Sequence, residues 1–126
     1  MSKVILVVEN EPMNLKLVLD LLEVVGYTVL CASDGLEGIK YAKAHKPDLI
    51  LMDIDMPVMN GMEATKILKA GEKTKDIPVI ALTALAMKED KEVARDVGFN
   101  GYITKPIQIK EFLADIDVYL SRSQKT

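Results

Sequence analysis

Short apolar runs alternate along the chain with stretches whose apolar residues recur at helical spacing. Val4–Val8 and residues 29–30, 49–52, 79–82 and 102–103 read as strands. The richest of them are apolar at nearly every position, as a parallel sheet covered on both faces requires. Val18, Leu21, Leu22 and Val25 follow an i, i+3, i+4, i+7 template, and so do Ile109, Phe112, Leu113 and Ile116, which predicts two amphipathic helices. Pro12 suits the first turn of the earlier helix and Gly26 its stop. Weaker patterns predict helices over residues 36–44, 62–69 and about 87–97, the last followed by Gly98. Five strand-then-helix units imply right-handed crossovers and an open, doubly wound α/β sheet, without fixing the order of its strands.

Composition narrows the class. A chain of 126 residues, 49% apolar, is the size of one compact domain with a proper core. The net charge of −3 argues against nucleic acid or an anionic membrane as main partner. Cys31 is the only cysteine, so an internal disulfide is impossible and a reducing interior suits the chain. Acids follow the first apolar run at once, and no run approaches the roughly 18 residues of a membrane span, so a cytoplasmic location is expected. With no linker or repeat, one domain is expected over residues 1–121, with a flexible tail over 122–126.

Ligands of open α/β sheets bind outside the carboxyl ends of the strands. Those ends carry Glu9, Asn10 and Glu11 after the first strand, Asp53 and Asp55 after the third, Thr83 after the fourth and Lys105-Pro106 after the fifth. Carboxylates, a hydroxyl and a lysine brought together suit a hard divalent cation and a phosphoryl group, because oxygen donors hold Mg²⁺ and lysine and hydroxyl groups bind phosphate oxygens.

The chain resembles the CheY-like response-regulator receiver family over nearly its whole length. The resemblance rests on Val7-Val8-Glu9-Asn10, the run from Asp48 through Asp53 to Pro57, Asn60-Gly61, Leu82-Thr83-Ala84 and Tyr102-Ile103-Thr104-Lys105-Pro106, in order and at receiver-like spacing. The runs 46–53 and 83–88 are similar to single-domain cell-division regulators of the DivK type, although receivers of hybrid kinases share much of them. The resemblance implies a flavodoxin-like (β/α)5 fold with strand order 2-1-3-4-5. It implies that Asp53 accepts a phosphoryl group from a sensor histidine kinase or histidine phosphotransfer protein, with Thr83 and Lys105 holding the phosphoryl oxygens. Mg²⁺ (or Mn²⁺) would be held by Glu9, Asn10, Asp53 and the backbone carbonyl of Asp55. Thr83 and Tyr102 would form the switch, Lys105–Pro106 would be cis, and a downstream protein would read the α4-β5-α5 face of a monomer or weak dimer. Such a domain catalyses only its own phosphoryl transfer and dephosphorylation.

Several positions depart from the family pattern or allow a plainer reading. Receivers usually carry an acid where Asn10 stands, so metal binding is expected to be weak, with phosphorylation retained but slowed; an engineered, inactivated receiver or a degenerate one that signals without phosphate is the alternative. Glu11 could compensate only if its loop turns it inward. Asp55 and Leu85 flank the path of attacking water, with an effect on lifetime whose sign the sequence leaves open. Asp53 could be a plain loop acid, Thr83 a strand end and Tyr102 a core residue. His45 reads as a solvated helix-terminal residue, and residues 88–95 as a solvated helix face. Met56, Met59 and Met62 are either packing or a partner surface. Two rivals from other classes are a flavin or nucleotide carrier on the same fold and a haloacid-dehalogenase-type hydrolase. The acidic loop after the first strand argues against the carrier, and the absence of the longer acidic motif in which such hydrolases place their nucleophile after the first strand argues against the hydrolase.

Overall fold

A computed structural model describes residues 3–54, 59–84 and 88–123. Among them β1 (Val4–Val8), α1 (Pro12–Val25), β2 (Thr28–Ala32), α2 (Gly35–His45), β3 (Leu49–Asp53), α3 (Gly61–Ala70), β4 (Val79–Thr83), α4 (Lys88–Val97), β5 (Gly101–Thr104) and α5 (Ile109–Ser123) follow in alternation. The five strands form one parallel sheet in the order β2-β1-β3-β4-β5. The direction of the chain reverses across the sheet at β1, between β2 and β3, so the loops after β1 and β3 leave the same rim as neighbours.

Strand alternation sends side chains to two separate apolar layers. Leu6, Val8, Ile50, Met52, Val79 and Ala81 meet Ile39 and Ala42 of α2, Ala64 and Leu68 of α3, and Ala94 of α4. On the other face Ile5, Val7, Leu49, Leu51, Ile80, Leu82 and Ile103 meet Val18 and Leu22 of α1 and Phe112, Ile116 and Leu120 of α5. β3 and β4 are buried at every position, hence the unbroken apolar runs in the sequence. The outer strands β2 and β5 are longer than the apolar pairs at 29–30 and 102–103, because their end residues Thr28 and Thr104 face solvent.

The helix ends follow local chemistry. Glu11 caps α1, accepting from Met13 N at 3.2 Å and Asn14 N at 2.8 Å, and Pro12 occupies the first turn. Gly26, at φ 108°, closes α1 in the left-handed conformation that a side chain disfavours. Both expected helical stripes lose one terminal member: Val25, in the last turn of α1, and Ile109, in the first turn of α5, are exposed. α5 also continues through Ser123, two residues beyond the expected end of the domain at 121. At the amino rim, Lys69 Nζ donates to Ile77 O and Asn100 Oδ1, each at 2.8 Å, and Asn100 Oδ1 also accepts from Val79 N at 2.9 Å. This knot fastens the end of α3 to the starts of β4 and β5, and burial pushes the Lys69 ammonium below the usual lysine range.

Phe112 is fully buried among Ile5, Ile80, Leu82 and Ile103 in its layer. Phe112→Ala is expected to cost about 3–5 kcal/mol, read as a lower urea midpoint at unchanged slope.

Candidate functional site

Backbone hydrogen bonds align the carboxyl ends of the strands. Val8 pairs with Ala32 and Met52, so Glu9 and Asp53 emerge beside each other. Glu9 N donates to Ala32 O at 3.0 Å, Ile54 N to Leu82 O at 3.2 Å, and Lys105 N to Thr83 O at 2.8 Å. The Lys105–Pro106 bond is cis. Lys105 Nζ lies 2.9 Å from Glu9 Oε1 and 3.3 Å from Asp53 Oδ2. One ammonium therefore bridges two carboxylates that sequence places 44 residues apart (53 − 9).

Glu9, Asp53 and Thr83 are buried, at 1%, 4% and 5% exposure, which sets them apart from the solvated charges on the helices. Asp53 and Lys105 line a cleft of about 490 Å³ together with Asn10, Glu11, Pro12, Asn14 and Ala84. Burial is the largest influence on both Glu9 and Lys105, and it disfavours both charges. For Glu9 it is outweighed by contact with the Asp53 carboxyl, the contact and charge of Lys105, and the Glu11 amide 3.3 Å from Oε2, so its pKa falls below the usual glutamate range. For Lys105 it is outweighed by contact with Glu9 and by the charges of Asp53 and Glu9, so its pKa rises above the usual lysine range.

Glu9 Oε1 meets the ammonium at ion-pair distance but out of hydrogen-bond alignment, leaving this buried oxygen with no hydrogen-bond partner among the described residues. An under-coordinated carboxylate oxygen beside a second carboxylate and an amide fits a hard cation that prefers oxygen donors. The set is lean: no group of three acidic, histidine or cysteine side chains with metal-holding geometry occurs among the described residues. Glu11 does not supply the missing acid, because both its oxygens cap α1. Asn10 is exposed at the cleft. Asp55, like Met56 and Leu85, lies outside the described residues.

The other expected positions divide. Tyr102 is not a core residue: at 36% exposure it lines a groove between α4 and β5 with Arg95 and Phe99. It pairs with Ala81, so by strand alternation it shares a sheet face with Thr83. Met59 and Met62 pack against the core, which favours the plain packing reading. His45 is exposed at the end of α2, its ring 6.1 Å from that of Tyr41. On α4, Glu92 and Arg95 face solvent as expected.

Two roles escaped sequence reasoning. Glu11 is not among the residues that usually cap helices, although its place directly before Pro12 at a helix start was the available signal. Gly61 opens α3 against the back of Asp53. Its N donates to Ile54 O at 3.0 Å, and a Cβ there would run into Asp53 O and come within 2.9 Å of Ile54 Cα. The motif Asn60-Gly61 was visible, but not the backbone it touches.

Comparison with known proteins agrees with this geometry. The family profile for the response regulator receiver domain matches residues 5–117. The polar-differentiation response regulator DivK of Brucella ovis is 47% identical over 120 residues, covering 95% of this chain and 98% of that protein. The receiver domain of sensor histidine kinase PA1611 from Pseudomonas aeruginosa PAO1, solved with a magnesium ion coordinated in its active-site cleft, is 33% identical with a TM-score of 0.89, over 96% of this chain and 99% of that one. The chemotaxis protein CheY4 of Vibrio cholerae superposes with a TM-score of 0.89 at 28% identity, over 94% and 99% of the two chains.

The lowered Glu9 pKa contributes stability that is fully present above the ordinary glutamate value and lost as pH falls through the lowered one. The raised Lys105 pKa contributes stability that is present below the ordinary lysine value and lost as pH rises through the raised one. Lys105→Met strands two buried carboxylates and is expected to cost about 1–3 kcal/mol near neutral pH. The loss narrows toward about pH 4, where carboxylates take up protons; urea denaturation at both pH values reads the difference, and a pH-independent loss would point to packing instead.

Proposed function

The chain belongs to the response regulator receiver family, and from that membership we propose that Asp53 is its phosphoacceptor, with Lys105 and Thr83 as the groups that hold the incoming phosphoryl oxygens. The observation that carries this reading is the Lys105 ammonium held against both Asp53 and Glu9 at the carboxyl rim. Family membership sets aside the flavin-carrier and dehalogenase readings. The donor is a phosphohistidine on a sensor histidine kinase or phosphotransfer protein. An Asp53 carboxylate oxygen attacks phosphorus as the nitrogen–phosphorus bond breaks, and the imidazole leaves with the bonding pair. Little else is asked covalently, so positioning and charge compensation supply the catalysis.

Glu9, Asp53, the Asn10 amide oxygen and the backbone carbonyl of Asp55 would hold Mg²⁺ or Mn²⁺, which neutralises the charge that two carboxylates and a phosphoryl group bring together. The product dianion draws on Lys105 and on the Thr83 hydroxyl. Because Lys105 N is bonded to Thr83 O, a shift at the end of β4 reaches β5, and Tyr102 on the same sheet face carries it to the α4-β5-α5 surface that a downstream protein reads. A single domain over residues 1–121 working in the cytoplasm completes the reading; no described helix is long and apolar enough to cross a membrane.

Acetyl phosphate with Mg²⁺ is expected to add one phosphoryl group to the wild type and none to Asp53→Asn, read by intact mass. An equal gain in the variant would move the acceptor elsewhere. Asn10→Asp restores a charge-assisted ligand worth about 1.5–3 kcal/mol and is expected to tighten Mg²⁺ about 10- to 100-fold in a titration; equal dissociation constants would remove Asn10 from the metal site.

A further inference from the structure

The acid loop after β1 and the segment that enters α3 after Asp53 are held by the same four residues. Ala32 O accepts the Glu9 amide at 3.0 Å. Three residues on, Gly35 opens α2 against Met59, where a Cβ would stand 2.6 Å from Met59 O and 3.0 Å from its Cγ. Met59 lies two residues before Gly61, whose backbone is seated on Asp53 O and Ile54. The turn between these contacts is internally hydrogen-bonded. Asp34 Oδ1 accepts the Glu37 amide at 2.9 Å, and Glu37 Oε1 accepts the Ser33 amide at 3.0 Å, a reciprocal cap that fixes both the start of α2 and the residues leading into it.

We propose that the turn from Ala32 to Gly35 is a brace that refines the separation of Glu9 from Asp53 beyond what the β1–β3 pairing provides, and that Gly35 is a positioning residue for phosphoryl transfer, acting through Met59 and Gly61. The inference rests on the phosphoacceptor reading for its chemistry and on the turn alone for its geometry. A methyl group at 35 presses on a backbone oxygen rather than on the end of a flexible side chain. The backbone at 59 must therefore give way, and Gly61 passes the displacement to Asp53. Separation matters because a cation shared by two carboxylates needs both within coordination reach, and small misplacements of catalytic groups carry large costs.

The test compares Gly35→Ala with Ala42→Gly, which loosens the same helix at a fully buried position remote from the turn. Gly35→Ala is expected to shift the amide resonances of Asp53, Ile54 and Gly61 in metal-free protein, to weaken Mg²⁺ about tenfold, and to slow acetyl-phosphate labelling at low Mg²⁺ with recovery at saturation. Ala42→Gly is expected to lower the urea midpoint and leave those resonances and the Mg²⁺ constant in place. Should Gly35→Ala fold poorly, Asp34→Ala removes the cap without added bulk and is expected to weaken Mg²⁺ in the same direction. A lowered urea midpoint for Gly35→Ala with unmoved Asp53 and Gly61 resonances and an unmoved Mg²⁺ constant would make the turn merely structural and overturn the brace. A wild type that takes no phosphoryl group overturns the phosphoacceptor reading instead, and the metal-free resonances still decide the brace.

Discussion

Two carboxylates on neighbouring strand ends share one ammonium, and the structure around the cleft is arranged to keep them there. Removing a carboxylate from water costs several kcal/mol even after relaxation, and Glu9 and Asp53 are both almost wholly buried. Lys105 offsets that cost only because β5 ends beside β4 and its backbone is tied to Thr83. The parallel sheet makes the meeting possible: every strand runs the same way, so residues distant in sequence reach one rim. Glu9 Oε1 meets the Lys105 ammonium at 2.9 Å without an aligned hydrogen bond.

Much of this was legible in advance, for reasons that differ by element. β1, β3 and β4 are buried along nearly their whole length, so hydrophobicity alone marks them. β2 and β5 lie at the sheet edges, where a strand owes its extent to pairing rather than to apolar side chains, and only their central pairs stood out. Asp53, Thr83 and Lys105 were visible because the rule that ligands gather at carboxyl ends selects a few positions from many. The double engagement of Lys105 was not visible, since nothing in the order of residues says which of two nearby carboxylates an ammonium will face. Nor do Val25 and Ile109 look different from the buried members of their stripes; where each helix ends decides their exposure.

Glu11 shows how the fold and the chemistry compete for the same residue. It is the second acid of its loop, after Glu9, and a carboxylate turned inward would have added a negative charge to the cleft. Instead both its oxygens accept amide donors at the start of α1, where the helix dipole also favours negative charge. The loop after β1 thus gives one acid to the helix and one to the charged rim, and between them the neutral amide of Asn10 lines the cleft.

The two apolar layers have no buried side chain in common. Substitutions far apart with no shared partner have nearly independent energetic effects, so the layer under α1 and α5 can drift in sequence without compensating change beneath α2, α3 and α4. An evolving lineage, or an engineer, can repack one side of such a protein while the other keeps its shape, and the sheet between them preserves the rim where the charges meet.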